Sequence, residues 1–457
     1  MKVNVPDTTR PRIVIVGGGF AGITLAKKLR RADAQVLLFD VDNYHTFQPL
    51  LYQVATAGLE PDSIAFPLRK LFKDQKNFIF RMAEVQRVDS RAQVVYTSIG
   101  HVRYDILVIA TGSETNYFGI DSIAANSLGL KNIREALDLR SLILQNFEKA
   151  LLSADVEQRE ALMTFAIVGA GPTGVEMAGA LAELKHHILP RDYPELDIRR
   201  MRIHLIEAAD RVLPTMSEEA SRHAADDLRK LGVEVWLRTR VQDYERPQIH
   251  CSANAELRAE TLIWSAGVLG RTVEGVVDNS AGDRRLRVDR FNCVEGHDNI
   301  YAVGDAALMQ TDVYPGGHPM VAPVAIQQAE RLADNLIRRF ELREQKPFVY
   351  TDKGAMATIG RNRAVAEVGK LRFSGFFAWL MWMFVHIMYL IGFRNRLVVL
   401  VNWIWNYFSY DRGTRLIVRP YERSEATQAA PDTETAEDAQ QAVNGRSKDA
   451  KSRQNTA

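Results

Sequence analysis

The chain has 457 residues, of which 46% are hydrophobic and 25% charged, the proportions of a globular protein of two or three domains. Its formal net charge of +2 leaves no electrostatic footprint for nucleic acid. The two cysteines, Cys251 and Cys293, form neither CxxC nor CxxxxC, which excludes a zinc ribbon and a dithiol redox pair, and no metal site is expected.

Eleven residues precede the first strong strand, so no targeting segment is expected. That strand is RIVIV, residues 12–16, a β-branched run. Gly17, Gly18, Gly19, Phe20, Ala21 and Gly22 follow, then the helical pattern AGITLAKKLRR and a second strand, QVLLFD, ending at Asp40. This is the βαβ dinucleotide fingerprint with its acid about 20 residues on. Gly17 permits the tight turn, Gly19 lets backbone N–H groups approach a pyrophosphate, and Gly22 lets helix and strand close up. Phe20 and Ala21 open the helix, whose N-terminus suits phosphates. Asp40 is placed to accept from ribose hydroxyls. The next segment, residues 42–65, holds no cysteine, which excludes thiol chemistry beside a cofactor. Within it Gln48 and Leu51 are candidates for packing on a flavin ring, whereas Tyr44, His45 and Tyr52 read equally well as core.

YDILVIATGSE, residues 104–114, predicts a buried strand running into Ala110, Thr111 and Gly112. A second fingerprint begins at residue 164. TFAIV leads into Gly169, Ala170, Gly171, Pro172, Thr173 and Gly174, a helix follows, and the strand MRIHLIE ends at Glu207. The intervening ILPRDYPELDIRR is expected to be a surface excursion. Glu207 favours a free ribose 2′-hydroxyl and repels a 2′-phosphate, so NADH is expected over NADPH; Arg211, four residues on, is the counter-signal. Glu176 has two readings. It stabilises the helix N-terminus, worth ~0.5 kcal/mol, or it lies beside the nicotinamide and flavin rings and holds the carboxamide, which is the reading preferred. WSAGV, residues 264–268, predicts a strand and turn closing over the nicotinamide, with Ala266 and Gly267 leaving room. NIYAVGDAA, residues 299–307, carries Gly304 and Asp305, whose carboxylate is placed for a ribityl or phosphate-side hydroxyl. The helix after it has Pro323 and Val324 in its first turn, where N–H groups suit the pyrimidine edge of a reduced flavin. Cys251 and Cys293 read as packing residues.

Residues 374–393, SGFFAWLMWMFVHIMYLIGF, contain no Asp, Glu, Lys or Arg. Twenty helical residues reach about 30 Å, enough to cross a bilayer. Arg394, Asn395 and Arg396 interrupt, and LVVLVNWIWNYFSY continues to residue 410. Asn395, Asn402, Asn406 and Ser409 fall on one narrow stripe at 100° per residue. The pattern predicts a helix lying in a membrane interface rather than through it. Trp379, Trp382, Trp403 and Trp405 suit the headgroup boundary, and Arg394, Arg396, Arg412 and Arg415 suit anionic lipid. The alternative is that both helices pack on the protein's own core or on a second copy. Residues 421–457 are expected to be a disordered tail, since no aromatic residue follows Tyr421.

Taken in order, these segments resemble the two-dinucleotide-binding-domain flavoproteins. FQPLLYQVATAGL (47–59), GAGPTGVEMAGAL (169–181), VAPVAIQQAE (321–330), DKGAMATIGRNRAV (352–365) and LIGFRNRLVVLVNWIWNYFSYDRGTRLI (390–417) resemble the type II NADH:quinone oxidoreductases. The resemblance implies an α/β fold with two Rossmann-like dinucleotide-binding domains and C-terminal membrane-associated amphipathic helices. Residues 1–130 and 286–370 would form the FAD-binding domain, 131–285 an inserted NADH-binding domain, and 371–420 the anchoring helices. Non-covalent FAD on the first fingerprint would pass two electrons from NADH, held by the second, to a membrane quinone (ubiquinone or menaquinone) without proton pumping. Gln327 matches a family glutamine of the quinone pocket, while Pro323 stands where an earlier glutamine is found, a departure from the pattern. Lys353 and Met356 match a lysine and an apolar residue near the quinone tunnel, although Lys353 reads equally as a surface lysine in a turn. Glu176, Gln327 and Lys353 are thus the catalytic candidates. A homodimer, peripheral to the cytoplasmic face of a bacterial plasma membrane, is implied. Two other readings stay open: a soluble NADH-dependent ferredoxin reductase or diaphorase-like flavoprotein, and a membrane-docking NAD(H) sensor.

Overall fold

The computed structural model describes residues 1–276, 282–409 and 413–422; Arg412 and the tail expected beyond residue 422 lie outside the described residues. The chain starts with β1 (Arg12–Val16), helix α1 (Phe20–Lys28) and β2 (Gln35–Asp40), and adds β3 (Phe78–Met82) and β4 (Ile106–Ile109). Between β2 and β3 lies the short helix α2 (Leu51–Ala55). β1 pairs in parallel with both β2 and β4. These strands are continuous Val, Ile and Leu runs because both faces of a parallel sheet are covered. A short strand β5 (Ser113–Thr115) and the long helix α3 (Ile133–Leu152) follow. The Asn132 side chain caps α3 by accepting from Glu135 N at 2.9 Å.

The second unit has four parallel strands, in the order β8 (Glu234–Trp236), β7 (Arg202–Ile206), β6 (Thr164–Val168), β9 (Thr261–Trp264). Helix α4 (Pro172–Glu183) crosses from β6. The segment at residues 188–200 is not the expected surface excursion. Ile188, Leu189, Tyr193, Leu196 and Ile198 are buried in the same core as α4, so the insertion supplies apolar covering for that helix. Strand β10 (Val268–Gly270) pairs antiparallel with β5 and ties the two units together. The chain then returns as β11 (Ile300–Ala302), which completes the first sheet beside β4, and as helix α5 (Ala322–Phe340), which packs along α1.

A small antiparallel sheet follows, of β12 (Ala355–Thr358), β13 (Ala364–Val368) and β14 (Leu371–Ser374). Helix α6 (Gly375–Tyr389) lies on it and a turn leads into α7 (Phe393–Ser409). α6 is 15 residues long, and no described helix is long and apolar enough to cross a membrane.

The polar stripe on α7 faces the protein. Asn395 Nδ2 donates to the carbonyls of Asp62 and Ala65 at 3.1 and 2.9 Å, Asn402 Nδ2 to Glu60 Oε2 at 2.8 Å, and Asn406 Nδ2 to Gly58 O at 3.2 Å. Ser409 Oγ turns back to Trp405 O within the helix. The expectation of a polar face turned to headgroups is therefore corrected: residues 58–65 offer carbonyls and a carboxylate that need donors, and the asparagines supply them.

Candidate functional site

The two fingerprints build matching cradles. Gly17 sits at φ +106, and a Cβ at Gly22 would fall 1.9 Å from Gly17 O; Gly174 repeats this at 1.9 Å from Gly169 O. A Cβ at Gly19 or Gly171 would meet nothing within 4 Å, so both cradles are open where a phosphate approaches. Gly19 and Gly171 are the N-caps of α1 and α4, with no side-chain cap and no acid in the first turn. The first N–H groups of each helix are thus left for an anion. Asp40 accepts from Gly18 N at 2.5 Å and Asp42 N at 2.7 Å, and Glu207 from Ala170 N at 2.6 Å and Ala209 N at 2.8 Å. Each acid holds its glycine loop in place at the end of its strand. Burial pushes the Asp40 carboxyl upward, opposed by its two backbone donors.

Around the first cradle the structure adds groups that sequence reasoning missed. His45 Nδ1 meets Gly18 O at 3.1 Å; a carbonyl only accepts, so Nδ1 carries the proton and Nε2 is an acceptor. Nε2 is buried without a partner, and burial holds the imidazole neutral with its pKa lowered to about 4. Asp305 accepts from Ser113 Oγ at 2.6 Å, and Lys131 Nζ donates to the same hydroxyl at 2.9 Å. Gly304 N donates to Gln328 Oε1 at 2.8 Å, so the turn rests against the start of α5, where Val324 is buried. Thr111 Oγ1 bonds Arg271 O, and Arg271 N donates to Gly112 O at 2.9 Å. Gln48, expected against a flavin ring, is exposed and donates to Lys131 O at 3.3 Å. The open cradle, the orphan His45 Nε2 and the Asp305–Ser113–Lys131 chain fit an FAD.

In the second unit Trp264 Nε1 donates to Asn116 O at 2.7 Å and Gly267 packs close to Phe118, which fixes the turn carrying Ala266 over the end of the sheet.

Glu176 lies deeper than a helix cap. It is the fifth residue of α4, 7% exposed, with Oε1 accepting from Trp382 Nε1 at 3.2 Å and from Thr358 N at 3.5 Å. Burial pushes its carboxyl up to about 8 against those two donors. It lines a cavity between α2, α4, the end of β12, and helices α6 and α7, whose walls include Tyr52, Met383, Trp379, Trp403 and Tyr407. His386 stacks on Trp382 at 4.0 Å and meets Phe47 edge-on at 6.0 Å. The tail helix thus closes a cavity that the sequence assigned to the nicotinamide side.

The three catalytic candidates do not converge. Gln327 exchanges two 2.9 Å bonds with the backbone of Thr351, which occupies its amide in pinning the segment that leads into β12. Lys353 is exposed two residues on. Thr358, five residues beyond Lys353, reaches Glu176 at the other end of β12, roughly 17 Å along an extended chain. Met356 packs between these ends against the core under α6.

The tryptophans divide. Trp382 is 1% exposed, which corrects its assignment to a headgroup boundary: its ring is core. Trp403 and Trp379 are half-buried; Trp403 donates to Gln53 Oε1 at 2.8 Å and Trp379 packs on Tyr407 at 5.7 Å. Trp405 is 63% exposed. Arg396 donates to Leu390 O and Met388 O, both at 2.8 Å, and Arg415 pairs with Asp192 at 2.6 Å, so these two serve the protein's own turns; Arg394 is exposed. Phe377, Phe384, Phe393 and Phe408 are 76, 67, 81 and 79% exposed along the outer side of α6 and α7. The two cysteines are free; burial raises both thiols, Cys293 to about 11, the state of packing residues.

The sequence matches the pyridine nucleotide-disulphide oxidoreductase family model over residues 11–329 and the NDH2 C-terminal domain model over residues 353–410. It is 40% identical over 429 residues to the type II NADH:quinone oxidoreductase Ndh of Mycobacterium tuberculosis, covering 88% of this chain and 89% of that one. The type II NADH:quinone oxidoreductase of Staphylococcus aureus is 28% identical over 373 residues, covering 79% and 90%. In fold, it is similar to NDH2 from Plasmodium falciparum in complex with NADH, with a TM-score of 0.82, 22% identity, and coverage of 90% of this chain and 100% of that one.

Proposed function

The chain belongs to the type II NADH:quinone oxidoreductase family, and from that premise we propose how its residues share the transfer of two electrons from NADH through FAD to a quinone. FAD, when bound, supplies the hydride-accepting and electron-passing chemistry. The chain's own residues bind, orient and move protons. Gly17 to Ala21 and the start of α1 hold the pyrophosphate and Asp40 a ribose. Asp305, with Ser113 and Lys131, holds ribityl-side hydroxyls, and the first turn of α5 at Pro323 and Val324 faces the pyrimidine edge. Gly169 to Gly174, Glu207, Ala266 and Gly267 hold NADH. On this reading residues 1–130 and 286–370 make the FAD domain around the inserted NADH domain.

Both donors to Glu176 aim at Oε1, so its proton sits on Oε2. With its pKa raised to about 8, the carboxyl is protonated at neutral pH and donates to a carbonyl in the cavity, either the nicotinamide carboxamide or a quinone oxygen. The balance is NADH, one proton and quinone giving NAD+ and quinol. The hydride carries two electrons and one of the two quinol hydrogens, and the second comes as a proton through the protein surface or the site. The quinone head lies in the cavity beside Glu176 and Thr358, and Lys353, in the exposed segment before β12, helps deliver protons from the surface. Gln327 acts by holding the segment that carries Lys353. No proton translocation accompanies the reaction, since electron transfer and proton uptake occur at one site.

The observation that carries this reading is that the helix of the NADH unit and the helix of the tail share one buried carboxyl, Glu176. The exposed apolar side of α6 and α7 supports docking into the cytoplasmic leaflet of a plasma membrane, where ubiquinone or menaquinone dissolves. Two copies are proposed to associate; a single-copy mass in sedimentation would remove that element. For the chemistry, the protein is mixed anaerobically with NADH, and separately with NADPH, and the visible flavin absorption is followed before a short-chain quinone is added. Bleaching by NADH, reversed by quinone, is expected. Reduced protein that ignores quinone and reduces ferredoxin instead would overturn the assignment.

A further inference from the structure

Helix α6 does more than cover the cavity. Trp382 is the largest fully buried side chain among the described residues, yet it sits on a helix that is otherwise largely uncovered: only Ala378 and Trp382 are buried between residues 375 and 389. Its ring is held on several sides, stacked on His386 at 4.0 Å and packed near Trp403 at 5.5 Å and Tyr52 at 6.5 Å. His386 Nδ1 donates to the carbonyl of Trp382 at 2.7 Å, which locks the stacked pair. An indole N–H is donor only, and this one donates to Glu176 Oε1 at 3.2 Å. The other donor to that oxygen, Thr358 N, is longer at 3.5 Å.

We propose that Trp382 is a positioning residue for the electron-transfer reaction: the tail helix delivers its indole N–H to Oε1 of Glu176, so that the proton is kept on Oε2 and presented to the bound substrate. The inference rests on the reading of Glu176 given above. It makes the tail part of the reaction site as well as an anchor, because a shift of α6 removes a hydrogen bond from the cavity.

The other titratable groups on the cavity are Tyr52 on α2, Glu183 and His187 at the end of α4, Arg361 after β12, and Tyr407 on α7; His386 lies behind Trp382. Glu183 accepts from Arg361 N, and Arg361 donates to Tyr407 O at 2.7 Å and stacks on its ring. Burial holds His386 neutral, its pKa lowered to about 4. Among these groups, Glu176 is the one whose carboxyl meets the indole.

The test is an infrared titration of the flavin-loaded protein together with its turnover profile. A protonated carboxyl band with a midpoint near 8 is expected in the wild type and absent in Glu176→Gln. In Trp382→Phe, which keeps an aromatic ring and loses the N–H, the midpoint should rise by about one unit, the loss of one hydrogen bond to a carboxylate. The alkaline limb of kcat should move with it, and the Glu176→Gln/Trp382→Phe pair should show no further change in pH profile. A band lost in Glu176→Gln but unmoved in Trp382→Phe would overturn the role of Trp382 while leaving Glu176 in place. A turnover profile unaltered by Glu176→Gln would overturn both. If Trp382→Phe does not fold, protein made with 5-fluorotryptophan keeps the shape and sharpens the N–H. Its midpoint should fall, and an unmoved midpoint overturns the proposal.

Discussion

At the scale of single residues, Glu176 sets a stability slope as well as a reaction. Its folded pKa of about 8 lies above the ordinary value of 4.5, so the folded protein holds a proton that the unfolded chain releases between those pH values. Stability is fully present below the unfolded pKa and falls as pH rises to about 8. Glu176→Gln should remove that fall, with a gain over wild type reaching on the order of 5 kcal/mol at pH 8; melting curves of the two proteins from pH 5 to 8 that run parallel would refute it. The glycine pair in the second cradle makes a contrast. Gly174→Ala drives a methyl to 1.9 Å from Gly169 O, whereas Gly171→Ala places one in open space. The first should lower the melting temperature. The second should keep it and raise the KM for NADH about tenfold, a loss of ~1.4 kcal/mol in binding, because the methyl occupies the phosphate approach. Gly17, Asp40 and Glu207 were legible because a fingerprint is local. Ser113 with Asp305, and Trp382 with Glu176, were not, since their partners lie 192 and 206 residues away.

At the scale of elements, α6 and α7 show what periodicity reveals and what it leaves open. The asparagine stripe on α7 was legible from spacing at 100° per residue, but the side it faces depends on the carbonyls of residues 58–65. Asn402→Ala with Asn406→Ala should cost about 2 kcal/mol, two hydrogen bonds, at a site remote from the cradles; calorimetry would show the drop, with vesicle binding retained. Phe377→Ser with Phe384→Ser, on the opposite side, should do the reverse. Both are exposed, so folding is kept, while co-sedimentation with phospholipid vesicles should fall several-fold as buried apolar area is lost. Equal vesicle binding in the two double variants would remove the outer face from membrane docking. The insertion at 188–200 taught the same lesson, since its apolar residues are spaced too irregularly to announce the core they join.

At the scale of the whole molecule, the paired strands β4 and β11 of the first sheet are separated by 193 residues of chain, from Leu107 to Ile300, and the second unit sits in the gap. Removal of residues 375–457 should abolish turnover even with a short-chain quinone in detergent, because Trp382, Leu390 and Val399 belong to the same core as α4 and the Glu176 cavity loses its cover. Full turnover after that truncation would mean the tail only anchors. The sequence by itself determined the two dinucleotide units, their acids, the exclusion of thiol chemistry and the apolar tail, because glycine turns, strand runs and helical stripes are properties of neighbouring residues. The tertiary structure alone decided that the tail's polar stripe turns inward, that Gln327 pins the backbone at Thr351, and that Glu176 and Trp382 meet. Those facts depend on which donors a distant segment needs and on what packing removes from water, and neither is written in local spacing.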